Sequence, residues 1–216
     1  MRYKYILFDL DGTLTDPKIG ITTAVAYALN KMGHYEVNLE ELTKFIGPPL
    51  REAFIEYYNF SEKEAKQAIE YYREYFIDRG IYENEIYSGI KELLDELKKS
   101  DRILVVATSK PTIFAETIIN YFDLTKYFSS VVGSNLDGTR SKKAEVIEAA
   151  LERNGITDKE EVVMIGDRKH DIIGAKHVGI HSIGVGYGYG TNNELEEAGA
   201  DFIAAKVEDL RILLME

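Results

Sequence analysis

Tyr5-Ile6-Leu7-Phe8-Asp9-Leu10-Asp11-Gly12-Thr13 decides the reading of this chain, because an apolar run leads straight into two carboxylates and a glycine. A short apolar run of this kind predicts a buried strand. Residues i and i+2 of an extended chain face the same side, so Asp9 and Asp11 share one small space while Leu10 turns back towards the core. Two carboxylates at the tip of a buried segment are expensive unless something uses them. An acidic turn chosen for its backbone preferences is the bland alternative.

Buried strands are predicted at Lys4 to Phe8, Ile103 to Ala107, Val162 to Ile165 and Ile180 to Val185, with a weaker one at Ser130 to Val132. Helical stripes fill the gaps: Ile90, Leu93, Leu94 and Leu97; Phe114, Ile118, Ile119 and Phe122; Val146, Ile147, Ala150 and Leu151. Alternating strand and helix predicts an α/β fold, a doubly wound, Rossmann-like parallel sheet with helices on both faces.

The stretch between the first two of these core strands is too long for one crossover helix and predicts an inserted helical domain over residues 17–85, with the core formed by 1–16 and 86–216. Asp16 before Pro17 predicts an N-cap with proline at the first helical position. Ser61 and Glu64 form the pattern of a capping box. The run Gly186-Tyr187-Gly188-Tyr189-Gly190 predicts a mobile loop.

The 216 residues carry a formal charge of −11, which argues against a partner that is a nucleic acid polymer and against an anionic membrane surface. Cysteine is absent, which excludes disulfides, a thiolate zinc site and a cysteine nucleophile. Asp9 and Asp11 cut the first apolar stretch too short for a signal peptide, and the expected location is the cytoplasm. The expected assembly is a monomer or a homodimer.

Ligands of a doubly wound sheet bind beyond the carboxyl ends of its strands. There stand Asp9 and Asp11, then Thr108-Ser109-Lys110, then Gly166-Asp167-Arg168-Lys169-His170-Asp171, while Ser141-Lys142-Lys143 opens an intervening helix. If Asp9, Asp11, Asp167 and Asp171 converge, each pair about 4 Å apart repels by roughly 4 kcal/mol at an effective dielectric near 20, so the cluster needs a cation. Oxygen ligands without cysteine or clustered histidine select Mg²⁺. The Thr108 hydroxyl and the Ser109 amide could bind phosphate oxygens, and a lysine could neutralise charge as it builds.

Phe8-Asp9-Leu10-Asp11-Gly12-Thr13-Leu14, Val105-Val106-Ala107-Thr108-Ser109-Lys110-Pro111, the Lys142/Lys143 segment, and Ile165-Gly166-Asp167 with Asp171 resemble the four motifs of haloacid dehalogenase superfamily phosphatases. The insert is similar to that superfamily's C1-type cap. The resemblance implies Asp9 as nucleophile, Asp11 as general acid and base, and Thr108 and Ser109 holding the transferring group. It implies Mg²⁺ bound by Asp9, the Asp11 carbonyl, Asp167 and Asp171. The small residue after Lys143 favours that lysine as catalytic, with Lys142 in reserve. Dehalogenases of this lineage typically lack the second aspartate, so Asp11 points to phosphate chemistry.

The implied substrate is a small-molecule phosphate monoester, and the chain resembles bacterial phosphoglycolate phosphatases and 5'-nucleotidases. A β-phosphoglucomutase-like phosphomutase and a non-catalytic phosphate-binding regulatory module are the alternatives. Phe45-Ile46-Gly47-Pro48-Pro49-Leu50-Arg51 has two readings: turn chemistry alone, or Arg51 and the helix start meeting the polar end of the substrate.

Overall fold

A computed structural model describes residues 3–35 and 37–215. The strands are β1 (Tyr5–Phe8), β2 (Thr15–Asp16), β3 (Glu85–Ile86), β4 (Ile103–Pro111), β5 (Phe128–Ser134), β6 (Val162–Gly166), β7 (His181–Val185) and β8 (Phe202–Ala204). The α-helices are α1 (Lys18–Lys31), α2 (Leu50–Tyr58), α3 (Glu62–Tyr75), α4 (Ile90–Lys99), α5 (Thr112–Tyr121), α6 (Lys143–Arg153), α7 (Lys169–Val178), α8 (Asn192–Ala198) and α9 (Val207–Met215). The chain separates into two compact units, residues 1–16 with 86–216, and residues 17–85.

The larger unit is built on a six-stranded sheet of order β5-β4-β1-β6-β7-β8 in which every pairing is parallel. It is an α/β, Rossmann-like fold. β1 is central and its residues Ile6, Leu7 and Phe8 are fully buried, as a strand covered on both faces requires. Leu7, Val105 and Met164 share one face with Val146, Ile147 and Ala150 of α6 and Ala175 and Val178 of α7. Burying such a leucine stabilises the fold by about 1.5–3 kcal/mol relative to exposure.

Register is what positions the site. Phe8 pairs with Val106 on one side and Ile165 on the other, so the residues that follow each of these three leave the sheet at one level. The Asp9 amide still donates to the Ile165 carbonyl at 2.8 Å, which fixes the exit of β1.

The smaller unit is helical. Ser61 caps α3 through the expected box, its amide donating to Glu64 Oε2 at 2.8 Å and its hydroxyl accepting from the Glu64 amide at 3.4 Å. Its tyrosines pack against neighbours: Tyr72 is buried and stacked on Phe76, and Tyr57 and Tyr58 lie against Phe45.

Three details depart from expectation. The N-cap position of α1 is Pro17, without a side-chain bond of its own, and the Asp16 carboxylate accepts from the Tyr189 hydroxyl. β4 runs on to Pro111, through a bulge that carries Thr108 to Lys110. The short β8 and the helix α9 complete the sheet's far edge and end, where the sequence pattern was too brief to read.

Candidate active site

Asp9 leaves β1 buried and its Oδ1 accepts from the Leu10 amide at 2.8 Å, which stops the side chain from swinging away. The chain then turns tightly, the Gly12 amide donating to the Thr15 carbonyl at 2.8 Å. Gly12 has φ +78°, and a Cβ built on it would stand 2.2 Å from Asp167 Oδ2. Only glycine permits both the turn and the approach of that carboxylate.

Lys143 opens α6 and is buried, its Nζ 3.0 Å from Asp9 Oδ1 and 2.7 Å from Asp171 Oδ1. It also donates to the Ala107 carbonyl at 3.2 Å, so one ammonium ties together β1, β4 and α7. Burial opposes its charge, yet Asp171 and Asp9 more than offset that and hold its pKa above the ordinary lysine range. Lys142 is exposed at the N-cap of α6. Asp171 is anchored by the Arg168 amide on its Oδ2 at 3.1 Å.

Asp11 lies in a different environment. Its Oδ2 is 2.7 Å from Lys110 Nζ, and its Oδ1 is buried without a hydrogen-bond partner. Burial pushes the Asp11 carboxyl up and Lys110 pulls against it, with a net upward shift. Thr108 is 2% exposed and its Oγ1 accepts from the Lys110 amide at 3.3 Å, so its own O–H remains a donor. Ser109 uses its carbonyl to accept from the Ser134 hydroxyl at 2.8 Å, which fixes the bulge.

Asp9, Asp167 and Asp171 each offer an oxygen, all within 4.8 Å of one another. Burial, then the charges of Asp171 and Asp9, push the Asp167 carboxyl well above the usual range. Its Oδ2 accepts from the Tyr189 amide at 2.7 Å while its Oδ1 is buried with no hydrogen-bond partner. Asp9, Asp167 and Asp171 face one buried ammonium, Lys143, and the difference of two negative charges matches one divalent cation. The donors are all hard oxygens, and so the residues fit Mg²⁺.

Arg51 belongs to the helical unit, where it is exposed and bonded to Glu62, with Nε donating at 2.7 Å. Two features escaped the sequence reading. Lys110 was legible in principle, since Thr108 and Lys110 are two apart at a strand end and share a side. The contact of Tyr189 with Asp167 had no such signal, because it depends on how a loop folds back over the sheet.

Parallel strands delivering buried carboxylates and a lysine to one point define the class: an α/β protein with a carboxylate-rich active site at the carboxyl edge of its sheet. The model of the family described as "Haloacid dehalogenase-like hydrolase" matches residues 6–185, and the chain belongs to that family. It is 46% identical to a "5'-nucleotidase" of Pseudomonas aeruginosa, across 99% of this chain and 96% of that one. A "Tyrosine-protein kinase PtkA" of Mycobacterium tuberculosis is 35% identical over 95% of this chain and 70% of its own length. A "Phosphoglycolate phosphatase" of Vibrio parahaemolyticus is 27% identical over 96% and 94%. The crystal structure of a predicted phosphatase from Clostridium acetobutylicum superposes with a TM-score of 0.97 at 49% identity, covering 100% of this chain and 99% of that one.

Proposed function

We propose that this phosphatase is a Mg²⁺-dependent phosphomonoesterase that hydrolyses a small phosphorylated metabolite through an aspartyl-phosphate on Asp9. The observation that carries it is the position of Asp9, two residues from Asp11, 3.0 Å from the Lys143 ammonium and grouped with Asp167 and Asp171.

In the first step a carboxylate oxygen of Asp9 attacks phosphorus, the ester P–O bond breaks, and Asp11 gives its proton to the departing oxygen. In the second, water attacks the same phosphorus while Asp11 takes its proton. The P–O bond to Asp9 then breaks, releasing inorganic phosphate and restoring the carboxylate. Thr108 and the Ser109 amide hold the transferring group, and Lys143 holds Asp9 in place. Mg²⁺, held by Asp9, the Asp11 carbonyl, Asp167 and Asp171, would supply neutralisation of the phosphate oxygens.

The helical unit, residues 17–85, is assigned the part of a cap that shields the reaction from water and meets the leaving group. Arg51 is assigned to the polar end of the substrate; an exposed pair such as Arg51–Glu62 is worth about 0–1 kcal/mol and exchanges readily. The names of the 5'-nucleotidase and phosphoglycolate phosphatase relatives support two substrate classes, nucleoside 5'-monophosphates and phosphoglycolate. No helix among the described residues is long and apolar enough to cross a membrane. We place the enzyme in the cytoplasm, as a monomer or homodimer.

The test is a panel of phosphate monoesters, with both substrate classes and hexose 1-phosphates, ranked by kcat/KM with Mg²⁺ and with EDTA. Release of phosphate that requires Mg²⁺ and is lost in Asp9→Asn is expected. Isomerised sugar phosphate would establish the mutase alternative, and absence of any turnover the regulatory one. Arg51→Ala should change the ranking more than the rate on p-nitrophenyl phosphate.

A further inference from the structure

The proposed mechanism makes no use of the run Gly186–Gly190, yet two of its glycines lie directly against Asp167 and the turn after β1. A Cβ on Gly188 would stand 2.3 Å from the Gly12 carbonyl oxygen and 2.4 Å from Asp167 Cβ, and one on Gly190 would stand 1.9 Å from the Asp167 carbonyl oxygen. The glycines let the loop backbone lie directly against Asp167 and the turn after β1. From there the Tyr189 amide donates to Asp167 Oδ2 at 2.7 Å, leaving Oδ1 buried and unpartnered.

Between the glycines, two phenols moor the loop. The Tyr187 hydroxyl donates to the Thr13 carbonyl at 3.1 Å, and its ring meets Tyr87 edge-on with centroids 5.1 Å apart. The Tyr189 hydroxyl donates to Asp16. Thr13 and Asp16 lie on the segment that runs from the Asp9–Asp11 turn into residue 17, and Tyr87 follows the return strand β3. The loop is therefore fastened through its backbone to a cluster carboxylate and through its two phenols to the segments that lead out of this unit and back.

We propose that Tyr187 and Tyr189 are positioning residues of the metal site: they moor the loop so that the Tyr189 amide holds one oxygen of Asp167 and presents the other to the cation. This rests on the reading of Asp9, Asp167 and Asp171 as the Mg²⁺ site. Outer-shell partners of this kind typically change metal affinity by about 10–100-fold. The mooring also makes Asp16, at the end of β2, part of the same device.

The test is direct metal binding to the full chain, with Mn²⁺ followed by electron paramagnetic resonance and Mg²⁺ by calorimetry. The double variant Tyr187→Phe/Tyr189→Phe keeps both rings and removes both moorings, and should bind about tenfold more weakly. Asp16→Asn should move in the same direction. Raising Mg²⁺ to saturation should restore kcat in the double variant, a recovery that general damage to the fold would not show. Tyr189→Pro removes the amide donor itself, and where it folds, as judged by circular dichroism, it should bind more weakly than the double variant. Asp167→Asn is the control for the underlying site. If it abolishes binding while the double variant binds as the parent does, the positioning role is overturned and the metal site stands. If Asp167→Asn binds metal normally, the site reading itself falls.

Discussion

Lys143→Met tests the arrangement most directly, because methionine keeps an unbranched side chain of similar reach and removes only the ammonium. That ammonium lies 3.0 Å from Asp9 and 2.7 Å from Asp171, and all three groups are buried. At an effective dielectric near 20 each contact of about 3 Å is worth roughly 5–6 kcal/mol of attraction, most of it offset by desolvation. Removing one partner leaves both carboxylates buried and uncompensated, at a net loss of about 3–5 kcal/mol. For a domain of this size each kcal/mol lowers Tm by about 2–4 °C, so a fall of roughly 6–20 °C is expected in EDTA. Mg²⁺ should recover part of it, because the cation serves the same carboxylates. Turnover should be lost in either condition. Lys142→Met, one residue away and exposed, should stay within about 0.5 kcal/mol of the parent. Calorimetric unfolding of both variants, with and without Mg²⁺, checks this. A Lys143→Met protein that melts with the parent, or a larger loss in Lys142→Met, would refute the charge balance inferred for the site.

Gly12→Ala places a methyl 2.2 Å from Asp167 Oδ2 at a φ of +78°, and should lower stability by about 1–3 kcal/mol and weaken Mg²⁺ binding together, read by melting and calorimetry. Thr108→Val keeps the shape and removes the donor; kcat should fall about 10²–10³-fold with Tm nearly unchanged, and Thr108→Ser should retain activity. The carboxyls of Asp167, Asp171 and Asp11 are all raised, by burial first, so the fold holds their protons more tightly than the unfolded chain does. In the metal-free protein their stabilising contribution is present below the ordinary carboxylate pKa and is lost as pH rises through the raised values. Mg²⁺ binds the deprotonated forms, so the Tm difference between Mg²⁺ and EDTA should be larger at pH 7.5 than at pH 5. A difference that shrinks with pH would contradict it.

The central strands were legible because a parallel sheet covered on both faces demands unbroken apolar runs, and β1, β6 and the first half of β4 are such runs. The site residues were legible for a related reason: polar groups placed directly after those runs have nowhere to go but the sheet's carboxyl edge. Legibility failed where local pattern yields to tertiary contact. Asp16 has the sequence of a helix cap, yet a tyrosine far along the chain claims its carboxylate. Lys110 shares a side with Thr108 in the pattern, but that Asp11 is its partner depends on the bulge in β4. The Gly-Tyr run has the composition of a mobile loop, and its glycines instead serve close packing against Asp167.

Asp9 and Asp11 are the same side chain two residues apart, and the proposed mechanism asks opposite things of them. The difference has to come from their surroundings. Asp9 sits beside a buried ammonium and within a group of carboxylates that together suit a divalent cation, which fixes its side chain where a nucleophile is needed. Asp11 has Oδ2 fixed by Lys110 and Oδ1 buried and unpartnered, with its carboxyl pushed upward, an environment that lets Oδ1 carry a proton and surrender it. The alternation of an extended chain brings the two side chains to one space, and separate cations, one from the start of α6 and one from the bulge of β4, make them chemically distinct. Exchanging the environments, more than exchanging the residues, is what would abolish the division of labour.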